Sequence, residues 1–150
     1  MQHVSRYSAS LAVLLAAASP AFAASSSLVI VVGNGAFAGT YNLDPKAVFC
    51  FHSAKQRVYS AVWKDYNPPN AKSVAEAGIE VMNPDAPGPK VGSVQITFGD
   101  PAKAAAVYKI SAEPLSLSVS GSHGEISFAG KTKDGIAIRV TAACFGTAEA

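Results

Sequence analysis

The sequence predicts an all-β, mainly antiparallel domain: a small β-sandwich or open barrel with one disulfide and at most a short helical turn. Three observations predict it. Apolar and polar residues alternate in several short runs, the period of a half-buried strand. Glycine and proline, 12 and 9 of the 150 residues, punctuate those runs. The 2 cysteines sit in a chain that carries the marks of export, where an even count reads as a disulfide.

The export signal comes first in the chain. Met1 to Ser10 is short and polar, with Arg6 as its positive charge. Leu11 to Ala18 is unbroken Leu, Ala and Val. Ser19-Pro20 ends the run, and Ala21-Phe22-Ala23 offers small residues where a signal peptidase reads them. The apolar run is about half of the ~20 residues that a membrane-spanning helix needs. Residues 1–23 are therefore expected to be a signal peptide cut after Ala23. Residues 24–150 form one domain, with its core at about 28–145. If the signal were not cleaved, the protein would stay held at the membrane. No second long apolar stretch follows, so no transmembrane helix is expected after cleavage.

After Ser25-Ser26-Ser27, Leu28-Val29-Ile30-Val31-Val32 is β-branched and too short for an ordinary helix; it reads as a strand. Gly33-Asn34-Gly35 and Asn42-Leu43-Asp44-Pro45 read as turns. Ala47 to His52 is the next strand, and its nearly continuous apolar character suggests burial on both faces. Arg57 to Trp63 alternates, with Val58, Ser60 and Val62 on one side and Tyr59, Ala61 and Trp63 on the other. It pairs with the preceding strand through Ser53 to Gln56.

Pro68-Pro69 excludes helix or central strand over Asp65 to Asn70. Lys72 to Met82 is ambiguous, because Ala75-Glu76-Ala77 favours helix and Ile79-Glu80-Val81 favours strand. The reading taken is a strand at each end, with Gly78 as a break or bulge. Asn83 to Pro89 is an exposed loop. Val94, Ile96 and Phe98 share one face of a strand over Val91 to Phe98. Ala102 to Val107 reads as a single helical turn, followed by extended chain over Tyr108 to Ser111. The last part is a three-stranded meander. Leu115, Leu117 and Val119 alternate with serines, Gly121-Ser122-His123-Gly124 turns, and Ile126 and Phe128 continue the pattern. Gly130 to Gly135 turns again before Ile136, Ile138 and Val140.

The mature chain keeps 11 of the 12 Lys and Arg residues and all 10 acidic ones. A net charge near +1 offers no electrostatic case for nucleic acid or an anionic membrane. A Cys50–Cys144 bridge closes a long loop and contributes roughly 4–5 kcal/mol in the chain-entropy model. Neither cysteine has a C-x-x-C neighbour, so no metal site is expected. Gly33-x-Gly35-x-x-x-Gly39 lacks the third-glycine position and the βαβ context of a phosphate loop and reads as a β turn. His52 and His123 read as ordinary residues, and Ser122-His123 has no nucleophile-elbow context. No catalytic residues and no cofactor are expected. Tyr59, Trp63 and Tyr66 with Asn67, Pro68 and Pro69 form a candidate binding patch, aromatic material suited to glycan or protein contacts.

Several motifs carry a family resemblance. Asn67-Pro68-Pro69 followed by Lys72-Ser73-Val74 resembles a motif of the mycobacterial nineteen-kilodalton lipoprotein antigen family. Val48-Phe49-Cys50, and Arg139-Val140-Thr141 ahead of Cys144, resemble the strands that carry that family's cysteine pair. Gly121-Ser122-His123, Ile126-Ser127 and Gly130 resemble its penultimate hairpin. The resemblance implies an envelope-associated β domain acting as a surface antigen with a host- or envelope-interaction role. One departure matters: the family is lipidated on a cysteine at the start of the mature chain, and here that place holds Ala24. No lipidation is expected.

The expected function is that of an exported, non-catalytic cell-envelope or secreted antigen-like protein, extracellular or envelope-associated. Its partner would be an unknown protein, glycan or envelope component, and it would be monomeric. The alternative is a secreted carrier holding a small hydrophobic ligand inside a β shell.

Overall fold

Leu28, Ile30 and Val32 are buried on one side of β1 (Ser27–Val32) while Val31 between them faces out, as the two-residue period requires. The same alternation runs through β4 and β10 and through most of β5 and β9. The computed structural model describes residues 26–100, 102–120, 123–145 and 148–149. The expected signal peptide, its cleavage site and the Gly121-Ser122 part of a turn lie outside them.

Among the described residues, β2 (Gly39–Leu43) follows β1, and a 3-10 turn (Pro45–Ala47) leads into β3 (Val48–Ser53) and β4 (Val58–Lys64). Then come β5 (Val74–Met82), β6 (Val91–Asp100), β7 (Lys103–Ala112), β8 (Ser116–Ser120), β9 (His123–Lys131), β10 (Ala137–Phe145) and β11 (Ala148–Glu149). They form two sheets, ordered β2-β1-β10-β9-β8 and β11-β3-β4-β5-β6-β7. Neighbours are antiparallel except β11 on β3. The protein is an all-β sandwich.

The core between the sheets is filled by Tyr59, Phe98 and Phe128 with Leu28, Ile30, Ile79, Ile96 and Ile126, all fully buried. Two glycines let the sheets approach closely. A Cβ on Gly124 of β9 would strike the Tyr59 ring of β4, and one on Gly92 of β6 would strike the Phe128 ring of β9. Gly130 of β9 faces Ile110 of β7. One strand thus touches β4, β6 and β7 in succession, so β9 passes across the other sheet rather than along its strands. Phe37, Tyr41, Phe98 and Tyr108 pack ring on ring where β2 meets β6 and β7. The Cys50–Cys144 disulfide joins β3 to β10, and so one sheet to the other, with Cα atoms 6.0 Å apart.

Six sequence expectations need correction, the first being that the turn read from Gly130 begins only after Lys131, since Gly130 and Lys131 pair in β9 opposite Ile138 and Ala137. The alanines from Lys103 onward form strand, not a helical turn, because backbone pairing with β6 outweighs alanine's helix preference. Val74 to Met82 is one unbroken strand; its irregularity lies between Val74 and Glu76, and Gly78 sits in register between Val62 and Gln95. Asn42 and Leu43 belong to β2, with the turn beginning at Asp44. His123 and Gly124 already pair in strand, opposite Phe145 and Cys144. β3 is not buried on both faces: Phe49 is 74% exposed. The Leu115-to-Val140 meander is found as expected, in strands β8, β9 and β10.

Candidate interaction surfaces

Two constraints set the outward chemistry of the six-stranded sheet. Cys50 points inward to reach Cys144, so Phe49 and Phe51 on either side point out. On β4, Tyr59, Ala61 and Trp63 are buried, so Val58, Ser60 and Val62 point out. The strand register extends both rows across the sheet. Phe49 lies opposite Val62, then Gly78, Gln95 and Lys109. Phe51 lies opposite Ser60, then Glu80, Ser93 and Ser111. A third row, Val58–Met82–Val91, closes one end, with Val91 69% exposed. Nothing lies within 4 Å of where a Gly78 Cβ would stand. This leaves a shallow hollow of about 260 Å³ floored by Gly78 and edged by Ser60, Val62, Glu80, Ser93 and Gln95. A Lys64–Glu76 ion pair of 3.2 Å sits on the same face.

The expected aromatic patch is not assembled. Tyr59 and Trp63 are core residues, because alternation places them on the side of β4 that meets the other sheet. Tyr66 alone is displayed, 77% exposed. It stands beside a tight turn in which the Asn67 amide donates to Asp65 Oδ1 at 2.9 Å. Asn67 and Pro69 are exposed with it and Pro68 is half-buried. The Tyr59 hydroxyl and the Trp63 indole nitrogen are buried without a hydrogen-bond partner among the described residues. Burial pushes the Tyr59 phenol up to about 12. The Tyr41 phenol is also raised, by burial first and then by Tyr108, and its hydroxyl donates to the Phe37 carbonyl at 2.8 Å.

His52 and His123 lie on different strands, β3 and β9. His52 Nε2 lies 3.0 Å from Asp85 Oδ2, which ties the β5–β6 loop to β3. Beside that pair, Asn83 donates its backbone N–H to the Arg57 carbonyl at 2.7 Å, and both residues are left-handed, at φ 52° and 55°. A hollow of about 250 Å³ opens there between Arg57, Asn83 and Asp85. His123 is exposed and packs edge-on against Phe145. Among the described residues no three His, Cys, Asp or Glu side chains converge as metal ligands. The glycine-rich segment after β1 is a turn held by Asn34, whose Oδ1 accepts from the Ala137 amide at 2.7 Å. No helix of the described residues is long and apolar enough to cross a membrane.

No family model matches the chain, and no curated protein or solved structure matches it.

The sequence reading missed the Phe49 face. A signal for it was present: a cysteine committed to an inter-sheet bridge fixes its two neighbours outward, so an apolar run around it must show half of its residues to solvent.

Proposed function

We propose that this chain is an exported, non-catalytic binding module of the cell envelope or the extracellular space. In this reading it is a relative in kind of the nineteen-kilodalton lipoprotein antigens without their lipid anchor. The observation that carries the proposal is the outward face of the six-stranded sheet. Phe49, Met82, Val91 and Val107 stand exposed there, on β3, β5, β6 and β7 of the sheet whose inner face carries Tyr59 and Phe98. The face holds two apolar strips, Phe49–Val62 and Val58–Met82–Val91, with the polar row Ser60–Glu80–Ser93 between them, a mixed surface suited to an amphipathic partner. The carrier alternative needs room between the sheets, and that space is packed with fully buried aromatic and aliphatic side chains.

Two measurements test this. Intact mass of protein from medium and envelope fractions is expected to match Ala24 to Ala150 less two hydrogens. Retained residues before Ala24 or added acyl mass would overturn the export reading. Binding of the mature chain to isolated envelope material is expected to saturate and to weaken at least tenfold in Phe49→Ser, at unchanged melting temperature. Undiminished binding by that variant would remove the face from the proposal.

A further inference from the structure

Strand β8 is the outermost strand of the five-stranded sheet and pairs only with β9 among the described residues. Its outer row of backbone N–H and C=O groups is a template for another strand. Natural edges are usually guarded by charge, proline, bulges or shortness. The other edges here are guarded or poorly matched. β11 has 2 residues. β7 carries the exposed lysines Lys103 and Lys109. β2 runs directly into Asp44 and the Pro45–Ala47 turn. β8 reads Ser-Leu-Ser-Val-Ser, with no charge or proline inside the strand; Glu113-Pro114 stand before it, separated from it by Leu115.

The order of those residues is the second observation. A two-fold symmetric interface requires a surface complementary to itself. In an antiparallel pair of identical strands centred on Ser118, Leu117 meets Val119 of the second copy and Ser116 meets Ser120 of the second copy. Aliphatic faces aliphatic on the core side, and serine stands opposite serine in the register. β2, reading Gly-Thr-Tyr-Asn-Leu, does not map onto itself in this way. The serine match already exists once within the chain: Ser116 Oγ lies 2.7 Å from Ser127 Oγ across the β8–β9 pair. Leu115, 59% exposed, is a bend that precedes the strand, and its N–H donates to Ser127 O at 2.8 Å, which anchors this end of β8 to β9.

From this we infer that the protein self-associates through β8, two copies pairing antiparallel about Ser118 to join their five-stranded sheets into one. Edge pairing of this length buries well under the ~1,200 Å² of a standard stable interface, so the association is weak and concentration-dependent.

The experiment uses the mature chain with its disulfide intact. Sedimentation equilibrium over a wide concentration range is expected to show reversible dimerisation. Ser118→Lys sets two ammonium groups against each other at the axis and is expected to weaken dimerisation at least tenfold. Ser118→Cys is expected to give a disulfide-linked dimer in air, because directly opposed strand residues lie within disulfide reach. Lys109→Cys on β7 is expected to give none. A chain that stays monomeric and is not trapped by Ser118→Cys overturns the inference. So does dimerisation that Ser118→Lys leaves undiminished, which would place the contact on another surface. If Ser118→Lys proves unstable, the Ser118→Cys trap decides alone: a linked dimer supports β8 pairing, and its absence overturns it.

Discussion

On the six-stranded sheet, the residues that look away from the core include Phe49, Met82 and Val91, all exposed. On the five-stranded sheet, the outward positions hold Thr40, Asn42, Thr141, Ser116 and Ser118, with Arg139 between Val31 and Ala129. Both sheets bury the same kind of inward face, aliphatic with a few large rings. Folding requires the inward pattern and tolerates almost any outward one, since an exposed position changes stability little. The contrast between the two outer faces is therefore not set by what holds the domain together.

The comparison can be broken from the inside. Replacing both Cys50 and Cys144 by alanine removes the covalent link between the sheets across a separation of 94 residues. It is expected to cost about 4 kcal/mol, seen as a large fall in the denaturant midpoint. If the loss were only a few tenths of a kcal/mol, the two faces would not depend on the bridge for their relative placement.

Gly92→Ala should come next. Its methyl group would collide with the Phe128 ring and press on the Glu80 carbonyl at 3.1 Å, neither of which can move freely. Overpacking of this kind costs about 1–3 kcal/mol. By contrast, Gly78→Ala points its methyl into open solvent on the Phe49 face and is expected to be neutral or slightly stabilising. Thermal melts of the two variants side by side would show whether inner and outer faces differ as described.

Tyr59→Phe tests the buried, unpartnered hydroxyl. At neutral pH it is expected to leave stability unchanged or to raise it by about 1 kcal/mol, because a desolvated hydroxyl with no partner is removed. At alkaline pH the difference widens. The folded phenol titrates near 12, against about 10 in an unfolded chain. Stability from keeping it neutral is complete below about pH 10 and is lost as the pH rises toward 12, a loss of about 2 kcal/mol. Urea midpoints at pH 7 and near pH 11.5 should diverge between wild type and variant, with wild type losing more.

The smallest stability effect belongs to the face itself. Phe49→Ser and Val91→Ser are expected to change stability by less than about 0.5 kcal/mol each. They should sharply reduce retention on an apolar resin, whereas Thr141→Ser on the opposite face should alter neither. Equal retention for all three would erase the contrast.

The fold was largely legible because its clearest strands show the simplest pattern. Leu117 and Val119 alternate with serine, and Ile138 and Val140 alternate with Arg139 and Thr141; nothing competes with that period. Legibility failed where local preference and tertiary pairing disagree. Ala104-Ala105-Ala106 and Ala75-Glu76-Ala77 favour helix in isolation, and only the ladders to β6 and β4 make them strand. β2 was hidden because Thr40, Tyr41 and Asn42 carry little apolar signal, and its place is fixed by pairing with β1. The candidate site was less legible still. Tyr59 and Trp63 lie one alternation step from exposure, and the side of β4 that meets the other sheet is the one sharing a row with bridged Cys50, opposite Ala61, a pairing no local window contains.

The pairing of β1 with β10 has a consequence for how the molecule is made. Strands β3 to β6 each pair with the strand that follows, so this run of their sheet can zip up as the chain emerges. β1 is different: it emerges among the first, pairs only with β2 for a time, and must wait for β10, nearly the last segment to arrive. Contacts between such distant parts of a chain are slow to form, since a large loop must close before any of them is gained. Leu28 and Ile30 thus remain available to other partners for most of synthesis, and a chain truncated before Ala137 would leave β1 open along one side for good.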